Sequence, residues 1–291
     1  MAAAIEQLRN ATVPVPLIGD GVGLWLEPRV AVVLRNHGFT KAGTAGVLGN
    51  AKQESSYITT ANDGAGKFAP AQLIALAAEP TDVKLADLDV DGDLDLVVTL
   101  LSSEVVTFAN DGAGAFGAPT SFATGGDPVA IAVADFNHDD RPDVAVASSG
   151  DGQVRVFLNN PAGGLFAPLL LVAGEGLRDL AAADFNHDGF ADLAVLNGAS
   201  RLVRIFVNNA TGDGSLTQAL DVPVLAERLE GPRRLAVGDF DADGNLDLAI
   251  AAAGDAGVYY GLSSATALTF AATPEILPFT LSPLDVAAGD L

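Results

Sequence analysis

The chain has no cysteine, which excludes disulfides, thiolate metal sites and a cysteine nucleophile. Basic residues are scarce as well: 15 Lys and Arg against 37 Asp and Glu leave a formal net charge of −22. A field of that sign repels phosphate backbones and anionic headgroups, so a nucleic-acid partner is excluded. No apolar run approaches the ~20 residues that a membrane-spanning helix needs. The opening MAAAIEQLRNATVPVPLIG has neither a basic start nor a long apolar stretch, so no signal peptide is recognisable. Export would then use another route, or a targeting segment upstream of this reading frame. A phosphate loop, a G-x-S-x-G elbow and an H-E-x-x-H helix are all missing. What remains is 49% hydrophobic and only 18% charged over 291 residues, ample for a core and unlike a disordered acidic tail.

One pattern recurs through the chain. It reads ADLDVDGDLDLVV from residue 86, ADFNHDDRPDVAV from 134, ADFNHDGFADLAV from 183 and GDFDADGNLDLAI from 238. The first Asp of each copy falls at 87, 135, 184 and 239, in steps of 48, 49 and 55. A further copy opens at Asp290 in VAAGDL. A second element keeps step with the first: FANDGAGAFGAP from 108, FLNNPAGGLFAP from 157, IFVNNATGDGSLTQ from 205, and an earlier TTANDGAGKFAP from 59. These Asn, Asp and Gly clusters lie between alternating apolar runs such as Val154, Val156 and Leu158, which marks them as hairpin turns. Each unit is then four short strands. Four-stranded units at a period near 50 predict an all-β fold, a β-propeller.

Within each copy, Asp or Asn occupies positions 1, 3, 5 and 9, with Gly at position 6 in three copies. Oxygen-only donors in a short loop suit Ca²⁺, which takes six to eight oxygens in a flexible shell. Position 6 needs a positive φ that Gly meets without strain. Position 7 varies freely, as Asp93, Arg141, Phe190 or Asn245, which is what a backbone carbonyl ligand allows. An EF-hand opens the same way but requires a Glu at position 12 and an exiting helix. Position 12 is Val98, Val146, Val195 and Ile250, inside β-forming runs, so the loop joins two strands.

With these residues the chain resembles the FG-GAP (VCBS) repeats of integrin α-like propellers and bacterial secreted proteins, over residues 56–291. The resemblance implies a calcium-binding, non-catalytic propeller, extracellular or at the cell surface. Its role would be adhesion or glycan or protein binding, with the ligand on one face. Carried over copy by copy, the ligands would be Asp87, Asp89, Asp91 and Asp95; Asp135, Asn137, Asp139 and Asp143; Asp184, Asn186, Asp188 and Asp192; and Asp239, Asp241, Asp243 and Asp247. That makes about four Ca²⁺ sites. The second loop departs at Asp140, where Gly is expected, and Asp tolerates the left-handed region better than most residues.

Two expectations compete for residues 1–55. EPRVAVVLRNHGF echoes DPVAIAVADFNHD, as a blade whose loop has lost its acids would. HGFTKAGTAGVLGNAKQESSY instead resembles the helical active-site segment of phage-tail-type lysozymes. Thr40 would cap a helix running through Glu54, although Gly43, Gly46 and Gly49 each weaken it by up to about 1 kcal/mol. By that resemblance Glu54 is the general acid of a peptidoglycan hydrolase that uses the propeller for targeting. His138 and His187, at position 4 of their loops, are expected in solvent, and Trp25 and Phe39 in packing. For ring closure, SSYITTANDGAGKFAP supplies the later strands of a first blade and LDVAAGDL an initial strand, together a composite blade in a ring of about five. The alternative is a fragment of a six- or seven-bladed ring.

Overall fold

The computed structural model describes residues 45–47, 56–61, 72–224, 229–261, 268–271, 274–278, 285–286 and 288. Every regular element among them is a strand. Blade 1 comprises β4 (Pro80–Ala86), β5 (Asp95–Leu100), β6 (Glu104–Phe108) and β7 (Thr120–Ala123). In blade 2 are β8 (Pro128–Ala134), β9 (Asp143–Ser148), β10 (Gln153–Phe157) and β11 (Leu169–Val172). Blade 3 follows with β12 (Leu177–Ala183), β13 (Asp192–Asn197), β14 (Leu202–Asn208) and β15 (Leu216–Pro223). Each of these is an antiparallel sheet with its strands in sequence order. Blade 4 holds β16 (Leu229–Gly238), β17 (Asp247–Tyr259) and β18 (Glu275–Pro278). Asp247 Oδ1 accepts a 2.7 Å hydrogen bond from Gly261 N, fourteen residues on, so the chain must double back within β17. That stretch therefore supplies two strands' worth of pairing, first to β16 and then to β18.

Burial follows from the residue pattern. After its Asp, the second strand of each blade is an unbroken apolar or small-residue run, DLVVTL, DVAVAS or DLAVLN, and all six residues are buried. A strand buried on both faces is what a sheet packed between two others requires. Third strands alternate, as in QVRVF, and are half-buried. Fourth strands such as TSFA lie mostly in solvent. The cores sit between blades: Phe136, Ala145, Val154, Leu177, Leu193 and Phe206 pack where blades 2 and 3 face each other, and Phe185, Leu196, Ile205, Leu248, Ile250 and Tyr259 where blades 3 and 4 do. Each large side chain so buried contributes about 1.5–3 kcal/mol.

First strands neighbour one another, β4 beside β8, β8 beside β12 and β12 beside β16, and so surround an axis. This is a β-propeller of four-stranded blades. Two carboxylates tie the inner strands together. Asp82 on β4 accepts from Val83 N of its own strand and Ile131 N of β8, each at 2.8 Å. Asp179 on β12 repeats the device with Leu180 N at 3.0 Å and Leu235 N of β16 at 2.7 Å. Of LDVAAGDL, Asp285, Val286 and Ala288 are described, without strand assignment. Asp285 lies 3.9 Å from Arg234 Nε, and a Cβ on Gly238 would sit 3.4 Å from that of Ala288, so the segment runs along β16.

Near the N-terminus, β1 (Ala45–Val47) pairs antiparallel with β2 (Ser56–Ala61), which pairs with β3 (Gln72–Ala75). The helix expected from Thr40 through Glu54 is thus corrected at Ala45–Val47, which is extended. Glycine at Gly46 disfavours a helix there, and pairing with β2 supplies the backbone hydrogen bonds instead. Glu54, Thr40, Trp25, Phe39 and His37 lie outside the described residues, as does EPRVAVVLRNHGF. Among the described residues no helix is long and apolar enough to cross a membrane.

Candidate metal centre

Each inner strand is followed by an Asp that opens an eight-residue excursion before the buried second strand: residues 87–94, 135–142, 184–191 and 239–246, here loops 1 to 4. Their backbones are nearly superimposable in hydrogen bonding. The position 1 carboxylate accepts the amides of positions 5 and 6: Asp87 from Asp91 and Gly92, Asp135 from Asp139 and Asp140, Asp184 from Asp188 and Gly189, Asp239 from Asp243 and Gly244. Position 5 then accepts the amide of position 7, so that Asp91, Asp139, Asp188 and Asp243 take Asp93, Arg141, Phe190 and Asn245. These bonds curl the chain about a small volume lined by oxygen.

The curl requires left-handed residues at two positions. Position 6 is left-handed in every loop, with φ of 95°, 89° and 89° at Gly92, Gly189 and Gly244, and of 62° at Asp140. Asp140 therefore adopts the conformation that glycine adopts elsewhere, as the sequence suggested. Position 4 is also left-handed, at Val90, His138, His187 and Ala242, which no residue type there announced. Both histidines are exposed, as expected. His138, however, stacks on Phe190 of the next loop, with ring centroids 4.9 Å apart.

Position 9 differs from the rest. Asp95, Asp143, Asp192 and Asp247 are at most 1% exposed. One oxygen of each accepts the amide of position 2: Leu88, Phe136, Phe185 and Phe240. The other accepts the amide at the end of the third strand: Asn110, Asn159, Asn208 and Gly261. Position 9 thus fastens the loop to its own blade. A carboxylate oxygen accepting one hydrogen bond keeps a second lone pair for an ion.

The donor set fits a hard cation. In loop 1 the carboxylates of Asp87, Asp89 and Asp95, and in loop 4 those of Asp239, Asp241 and Asp247, bring oxygens within 4.8 Å of one another. In loop 2, where position 3 is Asn137, the side-chain carbonyl Oδ1 is buried and has no hydrogen-bond partner. An orphaned acceptor in an acidic loop is what an absent cation would leave. Asn186 Oδ1 in loop 3 takes the amide of Asp188 instead. The acidity of these groups carries the same mark. Burial, followed by the charge of Asp91, raises Asp89 above the ordinary carboxylate range. Asp241 is raised by burial and by Asp243, Asp247 and Asp239. Asp95 is raised by burial, and Asp143 and Asp192 are pushed by burial up to about 6. Asp243 goes the other way, lowered by the amides of Asn245. A cation would relieve the repulsion among these carboxylates.

Of the sixteen side chains expected from the sequence, the carboxylates at positions 1, 3 and 9 of loops 1 and 4 converge, and loops 2 and 3 share the same hydrogen-bonded backbone, with Asp93, Arg141, Phe190 and Asn245 engaged through their backbone amides. What the sequence did not disclose is the asparagine that closes loops 1 to 3. Asn110, Asn159 and Asn208 donate their side-chain amides to the position 8 carbonyls of Leu94, Pro142 and Ala191. The signal was present, an Asn two residues after Phe108, Phe157 and Phe206, but it was absorbed into the turn motif.

The FG-GAP-like repeat matches the chain three times, at residues 102–146, 141–195 and 184–250, together just over half of its length. No curated protein is detectably similar in sequence. Among solved structures, a lectin from Agrocybe aegerita, described as recognising non-reducing terminal N-acetylglucosamine, is 20% identical with a TM-score of 0.57. That alignment covers 84% of this chain and 67% of the lectin. A Bacteroides uniformis protein described as a candidate 6-phosphogluconolactonase is 14% identical with a TM-score of 0.58, covering 79% of this chain and 67% of that one. A protein from Lactobacillus plantarum is 18% identical with a TM-score of 0.56, covering 78% and 64%. The chain spans about two thirds of the length of these structures. A lectin and a candidate lactonase sharing this architecture illustrate that the fold by itself does not give the function.

Proposed function

The chain belongs to the FG-GAP-like repeat family, and from that premise we propose that it is a calcium-binding propeller that acts outside the cell or at its surface by holding a protein or glycan on one face. The observation that carries the metal is the convergence of three carboxylates within 4.8 Å in loops 1 and 4. Asn137 Oδ1 supports a third site, and loop 3 repeats the same backbone. In each loop positions 1, 3, 5 and 9 would hold the ion and position 7 would add a carbonyl. When bound, Ca²⁺ supplies charge neutralisation: four ions would offset eight of the 22 excess negative charges. The chain's own residues set the loop without it, through the position 1 and position 9 hydrogen bonds. All four loops follow the inner strands, so they open on the same face of the propeller.

The ligand side of the reading rests on the propeller as a binding scaffold, with a glycan as the first candidate because a lectin shares the fold. The hydrolase alternative would need Glu54, which lies outside the described residues, and gains nothing from the strand at Ala45–Val47. Calorimetric titration of the chelator-treated protein with Ca²⁺ tests the proposal. Uptake of about four ions and a rise in melting temperature are expected, since an ion bound only by the folded state stabilises it. No heat and no rise would overturn it.

A further inference from the structure

Two of the closing asparagines reach beyond their own blade. Asn159 Nδ2 in blade 2 donates to Leu88 O, at position 2 of loop 1, at 2.7 Å. Asn208 Nδ2 in blade 3 donates to Phe136 O, at position 2 of loop 2, at 2.8 Å. Their partners lie 71 and 72 residues away in sequence, and both side chains are only 3% exposed. Each position 2 residue also gives its amide to position 9 of its own loop, and position 9 holds the next asparagine.

The bonds therefore join end to end. Asp192 Oδ1 accepts from Asn208 N at 2.8 Å, and Asn208 Nδ2 donates to Phe136 O. Phe136 N donates to Asp143 Oδ2 at 2.8 Å, and Asp143 Oδ1 accepts from Asn159 N at 2.7 Å. Asn159 Nδ2 donates to Leu88 O, and Leu88 N to Asp95 Oδ2 at 2.8 Å. Three blades are threaded by one line of short, largely buried hydrogen bonds, in which polar groups reinforce one another. Among the described residues the line does not reach blade 4. Asp247 accepts from Gly261, which has no side chain to extend, and a Cβ there would lie 2.3 Å from Leu246 O.

We infer that Asn159 and Asn208 are positioning residues that couple loops 1, 2 and 3, so that an ion held in one loop raises the affinity of the next. The physical basis is that position 9 belongs to both systems. Asp192 is already held by two amides, and an ion on it further restrains Asn208, whose side-chain amide holds the entry to loop 2. The inference rests on the calcium reading of the loops.

The test is a Ca²⁺ titration followed by the amide resonances of Gly92, Asp140, Gly189 and Gly244, the position 6 residues, which report each loop separately. The perturbation is Asp188→Ala, which removes an exposed carboxylate of loop 3 and touches no bond of the relay. It is expected to weaken Ca²⁺ binding at Asp140 in loop 2 by about fivefold or more, the usual lower range of coupling between sites. In an Asn208→Ala background the same substitution should no longer reach Asp140, which is the double-mutant signature of transmission through that side chain. An effect on Asp140 below about twofold, or an equal effect with and without Asn208, overturns the coupling. A total lack of Ca²⁺-dependent shifts at all four amides overturns the calcium reading instead, so the two failures are distinct. Asn159→Ala read at Gly92 repeats the experiment one blade earlier. Should neither asparagine variant fold, Asn208→Ser, whose short side chain cannot reach Phe136 O, takes the place of Asn208→Ala with the same two outcomes.

Discussion

The carboxylate at position 9 and those at positions 1, 3 and 5 share their chemistry and differ in their surroundings. Asp143, Asp192 and Asp247 are fully buried, each accepting amides from two separate segments of the chain. Asp139, Asp188 and Asp243 are exposed and bond only within their own loop. The difference teaches that one motif serves two purposes. Its last residue anchors the blade through hydrogen bonds of its own, and its earlier residues form an exposed cup of crowded carboxylates that a cation would neutralise.

Removing the anchor is the strongest way to sharpen that contrast. Asp192→Ala leaves the amides of Phe185 and Asn208 without acceptors in a buried place, at about 1–3 kcal/mol for each orphaned group. A loss of about 3 kcal/mol or more is expected in denaturant unfolding of the chelated protein. If the loss vanished once calcium was removed, position 9 would be an ion ligand only and the contrast would break.

Asp179 separates burial from membership of a loop, since it is mostly buried on β12 and belongs to none. Burial pushes its carboxyl up to about 6, with the charge of Asp82 adding to the rise and Leu235 N and Arg234 opposing it. The folded chain then binds that proton more tightly than the unfolded chain does. Stability is fully present below the ordinary carboxylate range, declines as pH rises from about 4 to about 6, and levels off above. Asp179→Asn should shrink this decline by on the order of 2 kcal/mol, read as unfolding free energy against pH in chelator. An unchanged slope would assign the whole pH dependence to the loops, where Asp143 and Asp192 titrate in the same range.

How much of this was written in the sequence depends on the distance over which each feature is made. The loops were legible because the bonds from Asp184 to Asp188 and Gly189 span four and five residues, and so leave a spacing. Blades were legible because a second strand buried on both faces must read as DVAVAS or DLAVLN. Asn208 was not, because its partner at Phe136 comes from another blade and an Asn in a turn already has a local explanation. The burial of Asp179 was hidden for the same reason: its acceptor role toward Leu235 exists only once β12 and β16 lie side by side. At Ala45–Val47, the described part of the helix expected over Thr40–Glu54, a short motif was read without its pairing partner, β2.

Strain in the cup is a smaller effect. Val90 holds φ of 63° while half exposed, a poor conformation for a β-branched residue. Asn enters the left-handed region more readily, so Val90→Asn should stabilise by about 1 kcal/mol. The gain should appear with and without calcium, because position 4 is set by the backbone. A gain confined to the calcium-loaded protein would show that the loop takes this shape only around an ion.

The smallest expected effect is the most informative about the cup. Asp188→Ala removes an exposed carboxylate whose bonds to Phe190 N and Asn186 Nδ2 lie on the surface. In chelator it should change stability by less than about 0.5 kcal/mol, as surface substitutions do. It even removes one of the charges that raise Asp192. With calcium present the same substitution should lower the melting temperature, since loop 3 would then lose a ligand and the stabilisation that binding confers. Melting curves of the variant and the parent, each with and without calcium, measure both halves. Equal losses in the two conditions would make Asp188 a structural residue like Asp192, and the division between anchor and cup would disappear.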